Sequence, residues 1–308
     1  MTMAGLHATT PVLARAFRLD GDDDDAVRVK IYARKGAIPL SRCVPVFENM
    51  GLFVNFETGY PVRPSEKPAA DAPDTYWIHS LSMQSVNGEL VDLEKLARVF
   101  EDAFVAVWSG LAENDGFNRL VLSAGASWRE AALMRALSAY RRQSGLDQPQ
   151  DVQETALAAH PKIVRLLLDL FAARFDPAAH QGLDARRAAT AEIRAAIEAA
   201  LADVATLTDD QILRRLTDLI FALQRTNFYQ SDADGRPLSF ISFKVASREL
   251  EDLPDPKPYR EIFMSSPQVD GVHLRFGPVA RGGLRWSDRP SDYRTEVRLL
   301  PETAGRPV

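Results

Sequence analysis

Two adjacent glycines, flanked by arginines near the C-terminal end of the 308-residue chain, form the stretch best suited to chemistry. Arg281-Gly282-Gly283-Leu284-Arg285 follows a β-like stretch at 272–276. Glycines let a ligand approach backbone N–H groups closely, and arginine presents a rigid fork of donors that matches a carboxylate. The sequence therefore predicts a small anion site at the end of a strand, with Arg281, Gly282, Gly283 and Arg285 as candidate substrate-binding residues.

The same stretch also fits a turn that carries a solvated charged face. Arginines alternate there with Asp288, Asp292 and Glu296. The arginines are Arg275, Arg281, Arg285, Arg289, Arg294 and Arg298. The residues alone leave both interpretations open.

Other motifs of catalysis or cofactor binding are missing from the sequence. The 17 glycines form neither a Gly-x-x-x-x-Gly-Lys-Ser/Thr loop nor a Gly-x-Gly-x-x-Gly turn, and the five histidines show no His-Glu-x-x-His spacing. The one cysteine, Cys43, excludes a multi-cysteine zinc or iron–sulfur site within the chain and is expected to be a small buried apolar residue. We therefore assign no catalytic residue, no cofactor-binding residue and no metal ligand to this chain.

Composition narrows the class of protein. A formal net charge of -5, from 37 Lys+Arg and 42 Asp+Glu, argues against a general polyanion binder, and no nucleic-acid partner is expected. No run of about 18 apolar residues is present, so no membrane-spanning helix is expected. The lone cysteine and the lack of a signal-peptide pattern favour a cytoplasmic protein.

Residues 26–110 show the pattern of a small α/β sandwich. Alternation at 27–32 predicts a strand, a helix should end near Gly51, strands are predicted at 52–56 and 76–83, and Asp92 should cap an amphipathic helix. This order, strand–helix–strand–strand–helix, predicts helices on one face of a sheet. Residues 1–25, which contain four consecutive aspartates, are expected to be a flexible segment.

The rest of the chain is first helical and then β-rich. Capping boxes at Ser127-Glu130 and Thr208-Gln211 and a proline at position 161 predict helices between 111 and 232. Three strand candidates follow, at 238–245, 260–264 and 272–276. The predicted fold class is α+β.

The glycine–arginine segment belongs to a longer recognisable string. Arg281-Gly282-Gly283-Leu284-Arg285-Trp286-Ser287-Asp288-Arg289, followed by residues 292–297, resembles the large bacterial NAD-specific glutamate dehydrogenases. Stretches at 48–52, 173–177, 226–229, 258–263 and 271–278 resemble that family in the same order. The resemblance covers the chain from about residue 28 to residue 297.

This resemblance implies both a domain plan and a reaction. It implies an ACT-like module at 26–110, a helical region at 111–232 and the beginning of a glutamate dehydrogenase catalytic domain at 233–297. The implied reaction is oxidative deamination of L-glutamate to 2-oxoglutarate and ammonia with NAD, by a homo-oligomer when full length. Smaller glutamate dehydrogenases hold a substrate carboxylate with a Lys-Gly-Gly segment, which Arg281-Gly282-Gly283 resembles with arginine in place of lysine.

After residue 297 the sequence departs from the family, which continues into a helix, the catalytic lysine and an NAD-binding Rossmann unit. Pro301 and Pro307 disfavour a helix, so 298–308 is expected to be an aberrant, loosely packed tail such as a frameshift or a truncated gene would leave. The chain alone is expected to be inactive and to lack the NAD-binding unit. The alternative is a non-catalytic regulatory or subunit-interaction module with an amino-acid-sensing ACT-like domain.

Overall fold

A computed structural model describes most of the chain, with side chains up to residue 298. The described residues are 6–7, 10–34, 36–65, 72–143, 145, 147–179, 182–277, 286–289 and 292–303. The chain forms two compact units, Met1–Ala131 and Ala132–Val308. Each unit is considered by itself below.

The first unit is built on a four-stranded antiparallel sheet in the order β1-β2-β4-β3. Its strands are β1 Val12–Phe17, β2 Ala26–Ala33, β3 Leu52–Val62 and β4 Tyr76–Ser85. Its helices are α1 Leu40–Asn49, α2 Leu93–Trp108 and the single turn α3 Leu120–Ser123, which follows a 3₁₀ turn at Gly116–Arg119. The element order β2-α1-β3-β4-α2 is the predicted strand–helix–strand–strand–helix order, which confirms that part of the prediction.

Apolar alternation explains how this sheet acquires its core. Val27, Val29 and Ile31 of β2 are fully buried, while the residues between them face away from the core. Rings from both helices cover the buried face, with Phe104 of α2 stacked on Phe47 of α1 at 4.9 Å between centroids. Two predicted helix boundaries are confirmed. Gly51 follows α1 with a φ of +86°, a conformation that glycine adopts easily. At the start of α2, the Asp92 side chain accepts a hydrogen bond from the Lys95 N–H.

The segment before residue 26 takes part in this sheet. β1 pairs with β2 along its whole length, from Val12 opposite Ala33 to Phe17 opposite Arg28. The prediction of a flexible segment at 1–25 is therefore wrong for this strand. Its alternation is hard to recognise because Leu13 and Phe17, on the face away from the core, are apolar as well.

From α4 onward, five helices precede a second sheet. The helices are α4 Trp128–Gln143, α5 Gln150–Ala159, α6 Pro161–Phe175, α7 Leu183–Leu201 and α8 Leu207–Ala222. The sheet is antiparallel in the order β5-β6-β7-β8, and α9 Tyr293–Thr303 follows it. Its strands are β5 Leu223–Thr226, β6 Ile241–Val245, β7 Arg260–Ser265 and β8 Gly271–Arg275. The two sheets and their helices make an α+β fold, as predicted.

Of the four helix-start signals named from the sequence, those at Asp92, Ser127 and Pro161 are confirmed and one is not. Ser127 and Glu130 form the reciprocal capping box before α4, and Pro161 is the first residue of α6. At α8 the cap is Thr206, whose hydroxyl oxygen accepts the Asp209 N–H at 3.1 Å, so the assignment of the cap to Thr208 was wrong. Both threonines suit a cap by type, and Leu207 between them is exposed, so burial does not mark the helix start.

Two further elements differ from the sequence prediction. β5 lies inside the stretch predicted to be helical, because α8 ends at Ala222 and Leu223 already pairs with Val245 of β6. Helix α9 runs to Thr303 and includes Pro301, so a proline did not exclude a helix there. Pro301 removes one hydrogen bond, from its own N–H to the carbonyl of residue 297, and only two helical residues follow it, so the cost falls on the last turn of α9. Residues 304–308 of the predicted tail lie outside the described residues.

Candidate functional site

The predicted substrate-binding residues Arg281, Gly282, Gly283 and Arg285 lie outside the residues that the structure describes. The structure does describe both sides of this interval. β8 ends at Arg275 on one side, and Trp286 and the helix α9 resume on the other. The structure therefore describes this candidate site through the contacts of the residues on its two sides, Arg275 at the end of β8 and Arg294 in α9.

The end at α9 is held by a buried ion pair. Arg294, in the first turn of α9, donates from Nε to Oε2 of Glu261 at 3.0 Å and from Nη2 to Oε1 at 2.6 Å. The two side chains are 2 % and 0 % exposed. Two parallel hydrogen bonds between a guanidinium and a carboxylate form a strong and directional contact.

The contact with Glu261 favours the protonated form of Arg294. Burial acts to lower the pKa of Arg294, but the charge of Glu261 and its hydrogen bonds outweigh burial and leave that pKa raised. Nearby, burial raises the pKa of Tyr140 on α4, and the Glu261 charge acts in the same direction. Burial also raises the pKa of Tyr293, next to Arg294.

The two ends of the interval meet at one edge of the second sheet. Glu261 lies on β7 opposite Leu274 of β8, and its neighbour Arg260 lies opposite Arg275, the last residue of β8. The chain therefore leaves the sheet at Arg275 and returns through Arg294 to the adjacent position on the neighbouring strand. In sequence, the predicted anion-binding segment 281–285 lies between these two fixed positions.

The sequence did not identify Glu261 and Arg294 as a pair. Arg294 was counted among the arginines of a solvated face, and the structure buries it. A usable signal was the position of Glu261, which occupies a core-facing place in the alternating strand β7, between Arg260 and the exposed Ile262. A carboxylate on the buried face of a strand requires a cationic partner.

Polar clusters elsewhere serve the fold. On α4, Arg141 donates to Asp147 at 2.7 Å and to Asp252, and Arg215 of α8 contacts the same two carboxylates. Because each guanidinium bridges both acids, the network ties two helices to two loops.

Two residues of the first unit that chemistry often uses are also structural. His79 accepts the Ile38 N–H at Nε2 at 2.9 Å, so its ring proton lies on Nδ1, which faces Glu57 Oε1 at 2.7 Å. Cys43 is buried, as predicted, and burial raises the pKa of its thiol to about 12, with a smaller contribution from Glu57. Such a thiol is unreactive at neutral pH.

The described part of the chain also bears on metal sites and on membrane-spanning helices. Among these residues, no group of three or more His, Cys, Asp or Glu side chains is placed to hold a metal ion. No helix in the described ranges is long and apolar enough to cross a membrane.

Comparison with known proteins gives three family matches in chain order. Residues 11–96 match the glutamate dehydrogenase ACT3 domain and residues 112–177 match glutamate dehydrogenase helical motif 3. Residues 196–303 match the bacterial NAD-glutamate dehydrogenase catalytic domain, which includes the second sheet, the Arg-Gly-Gly segment and α9. This match begins in α7, ahead of residue 233.

Curated relatives agree with these matches. The NAD-specific glutamate dehydrogenase of Halomonas elongata is 42% identical over 292 residues, which is 95% of this chain and 17% of the relative. The enzyme of the same name from Pseudomonas aeruginosa is 41% identical over 295 residues, 96% of this chain and 18% of the relative. That of Mycobacterium tuberculosis is 38% identical over 265 residues, 84% of this chain and 16% of the relative. The chain thus spans less than a fifth of the length of the relatives it matches.

Proposed function

We propose that this chain, whose sequence belongs to the bacterial NAD-specific glutamate dehydrogenases, supplies such an enzyme with an ACT domain, a helical region and the substrate-carboxylate segment of the catalytic domain. The proposed reaction of the full-length enzyme converts L-glutamate, NAD and water into 2-oxoglutarate, ammonium, NADH and a proton. Within it, Arg281, Gly282, Gly283 and Arg285 bind a carboxylate of glutamate.

The observation that carries this proposal is the buried contact between Arg294 and Glu261. It returns the chain to the sheet edge that it left at Arg275. Because Arg275 and Arg294 are held at neighbouring positions, the proposal is that the segment between them in sequence is confined enough to hold a substrate in place for a fast reaction. Helix α9 thus serves as the support of the substrate segment.

Each residue of the segment has a separate role in this proposal. Arg281 donates two parallel hydrogen bonds to one carboxylate. Gly282 and Gly283 allow the substrate to approach the backbone N–H groups, because neither has a Cβ. Arg285 adds a second positive charge. We assign neither NAD binding nor the role of the base that acts on the amino group to any of these 308 residues, because they contain no recognised dinucleotide-binding turn.

The domain plan is part of the same proposal. The ACT module comprises 26–110 together with β1, the helical region follows from 111 to 232, and the catalytic domain is represented by 233–297 and the supporting helix α9. We place the enzyme in the cytoplasm, in amino-acid catabolism, as a homo-oligomer. The single buried cysteine supports the reducing compartment.

A chimeric enzyme tests the assignment of Arg281. Residues 11–303 would replace the matching segment of the Halomonas elongata enzyme, and Arg281→Ala would be introduced. Loss of a charged hydrogen bond to a carboxylate costs about 1.5–3 kcal/mol, so the KM for glutamate should rise about ten- to a hundredfold. The KM for NAD should stay unchanged.

Two control variants make the result specific. Arg281→Lys should recover much of the affinity because it keeps the charge, and Arg236→Ala removes an exposed arginine from the loop before β6 and should leave the KM for glutamate unchanged. An unchanged KM for glutamate in Arg281→Ala would remove Arg281 from the site.

A further inference from the structure

The face of the second sheet that points away from its core carries a basic groove. On β6, Ile241, Phe243 and Val245 are buried, so Ser242 and Lys244 point to the opposite face. A cavity of ≈ 460 Å³ lies over that face. This volume is in the range of small-molecule sites.

Among the residues that the structure describes, four cations and no carboxylate line the groove. They are Arg225, Lys244, Arg260 and Arg275. The chain as a whole has more acidic than basic residues, 42 against 37. The four cations are therefore a local concentration of positive charge that the composition does not explain.

The cations are also arranged unfavourably for the sheet itself. Arg225 of β5 lies opposite Lys244 of β6, and Arg260 of β7 lies opposite Arg275 of β8. Like charges directly opposite each other destabilise strand pairing. Within the part of the chain that the structure describes, neither Arg225 nor Lys244 forms an ion pair, so the repulsion between these two is not relieved by a neighbouring acid.

Neutral donors complete the groove. The Thr226 hydroxyl oxygen accepts the Phe228 N–H at 3.1 Å, which leaves its own hydrogen to be donated. Asn227 has a different role, because its amide donates to the Phe240 carbonyl and accepts the Ser242 N–H at 2.7 Å. Asn227 thus holds the backbone of Phe240 and Ser242 beside the groove, and the Thr226 hydroxyl keeps a hydrogen that it can donate to a ligand.

We propose that this groove binds a small polyanion, a molecule that carries two or more phosphate or carboxylate groups. The arginines present forks that match either group, and Lys244 contributes a compact charge. The described lining includes none of the residues assigned to the substrate carboxylate, so this inference goes beyond the proposed function and does not depend on it. The ligand neutralises the like-charged pair of Arg225 and Lys244, so its binding stabilises the second sheet.

Calorimetry on the full 308-residue chain tests this proposal, with tripolyphosphate as the phosphate probe and citrate as the carboxylate probe. At about 50 mM salt, where screening is moderate, we expect one-to-one binding of at least one probe. The probe that binds more tightly identifies the anionic group. Arg225→Gln and Lys244→Gln should each weaken binding by about fivefold, the size of a partly exposed charge interaction.

The control is Arg187→Gln, which removes the same charge from an exposed position on α7 and should leave affinity unchanged. The ligand-free melting temperature supplies a second readout, because Lys244→Gln removes a repulsion and should keep or raise it. The proposal is overturned if neither probe binds at about 1 mM, a weak affinity for any specific site. It is also overturned if Arg187→Gln weakens binding equally, or if Lys244→Gln lowers the ligand-free melting temperature.

Discussion

The contact between Glu261 and Arg294 can be tested by removing one partner at a time. Both side chains are almost fully buried, so either single substitution leaves an uncompensated charge in the interior. Breaking a buried pair in this way costs about 3–5 kcal/mol. For a unit of this size, each kcal/mol lowers the melting temperature by about 2–4 °C, so the full cost corresponds to about 6–20 °C.

The two single variants should differ because the partners lie on different elements. Arg294→Met leaves the Glu261 carboxylate on β7, which is hydrogen-bonded to β6 and to β8 and cannot leave without breaking the sheet. This variant should show the full loss of stability. Glu261→Leu leaves the charge on α9, which can separate from the sheet and return Arg294 to water. The loss of stability in Glu261→Leu is therefore limited to the free energy with which α9 packs against the sheet.

Thermal unfolding and hydrogen exchange distinguish these outcomes. In Glu261→Leu, the amides of α9 should lose protection while those of β6 and β7 keep it. The double variant Glu261→Leu/Arg294→Met, which removes both charges, should be close to the parent in stability. If both single variants unfold within about 1 kcal/mol of the parent, the pair behaves as an exposed one and the account of the loop ends is refuted.

Three further predictions follow from other parts of the chain. The Cys43 thiol, whose pKa burial raises to about 12, should not react with a disulfide reagent at neutral pH until the protein is unfolded, and rapid reaction of the native protein would contradict its burial. Thr206→Ala should destabilise the second unit by about 0.5–2 kcal/mol in urea unfolding, whereas the neighbouring Thr208→Ala should have almost no effect, and equal effects would contradict the observed cap. Burial acts to raise the pKa of Asp252, but hydrogen bonding from Arg141 and nearby charges outweigh burial and leave that pKa lowered. The stabilising effect of the Asp252 carboxylate should therefore be complete above about pH 3.9 and be lost as the pH falls through the lower pKa of the folded state. Asp252→Asn should thus cost less stability at pH 3 than at pH 6, and a cost independent of pH would be evidence against this pairing.

Features encoded over a few residues were predictable from the sequence. The capping box of Ser127 and Glu130, the cap at Asp92 and the proline at position 161 all mark helix starts by local hydrogen bonding or local geometry. The alternation in β2 likewise indicates which face is buried without reference to a partner strand. These signals depend only on neighbours in sequence, which explains why they hold.

Features that depend on distant partners were not predictable in the same way. β1 is defined by its pairing with β2, and its own alternation is blurred. The partners Glu261 and Arg294 are 33 positions apart, and neither residue reveals the other's position. The basic groove requires the register of four strands, because Arg225 and Lys244 become neighbours only once β5 pairs with β6.

Glutamate-dependent formation of NADH is the most direct test of the central claim that these residues hold a substrate but contain no site for the cofactor. The purified 308-residue polypeptide should show no NADH formation, because hydride transfer needs both reactants held in place. The chimera that carries residues 11–303 within the Halomonas elongata enzyme should be active. Turnover by the 308-residue polypeptide alone, free of host enzyme, or a folded chimera without activity, would contradict the account.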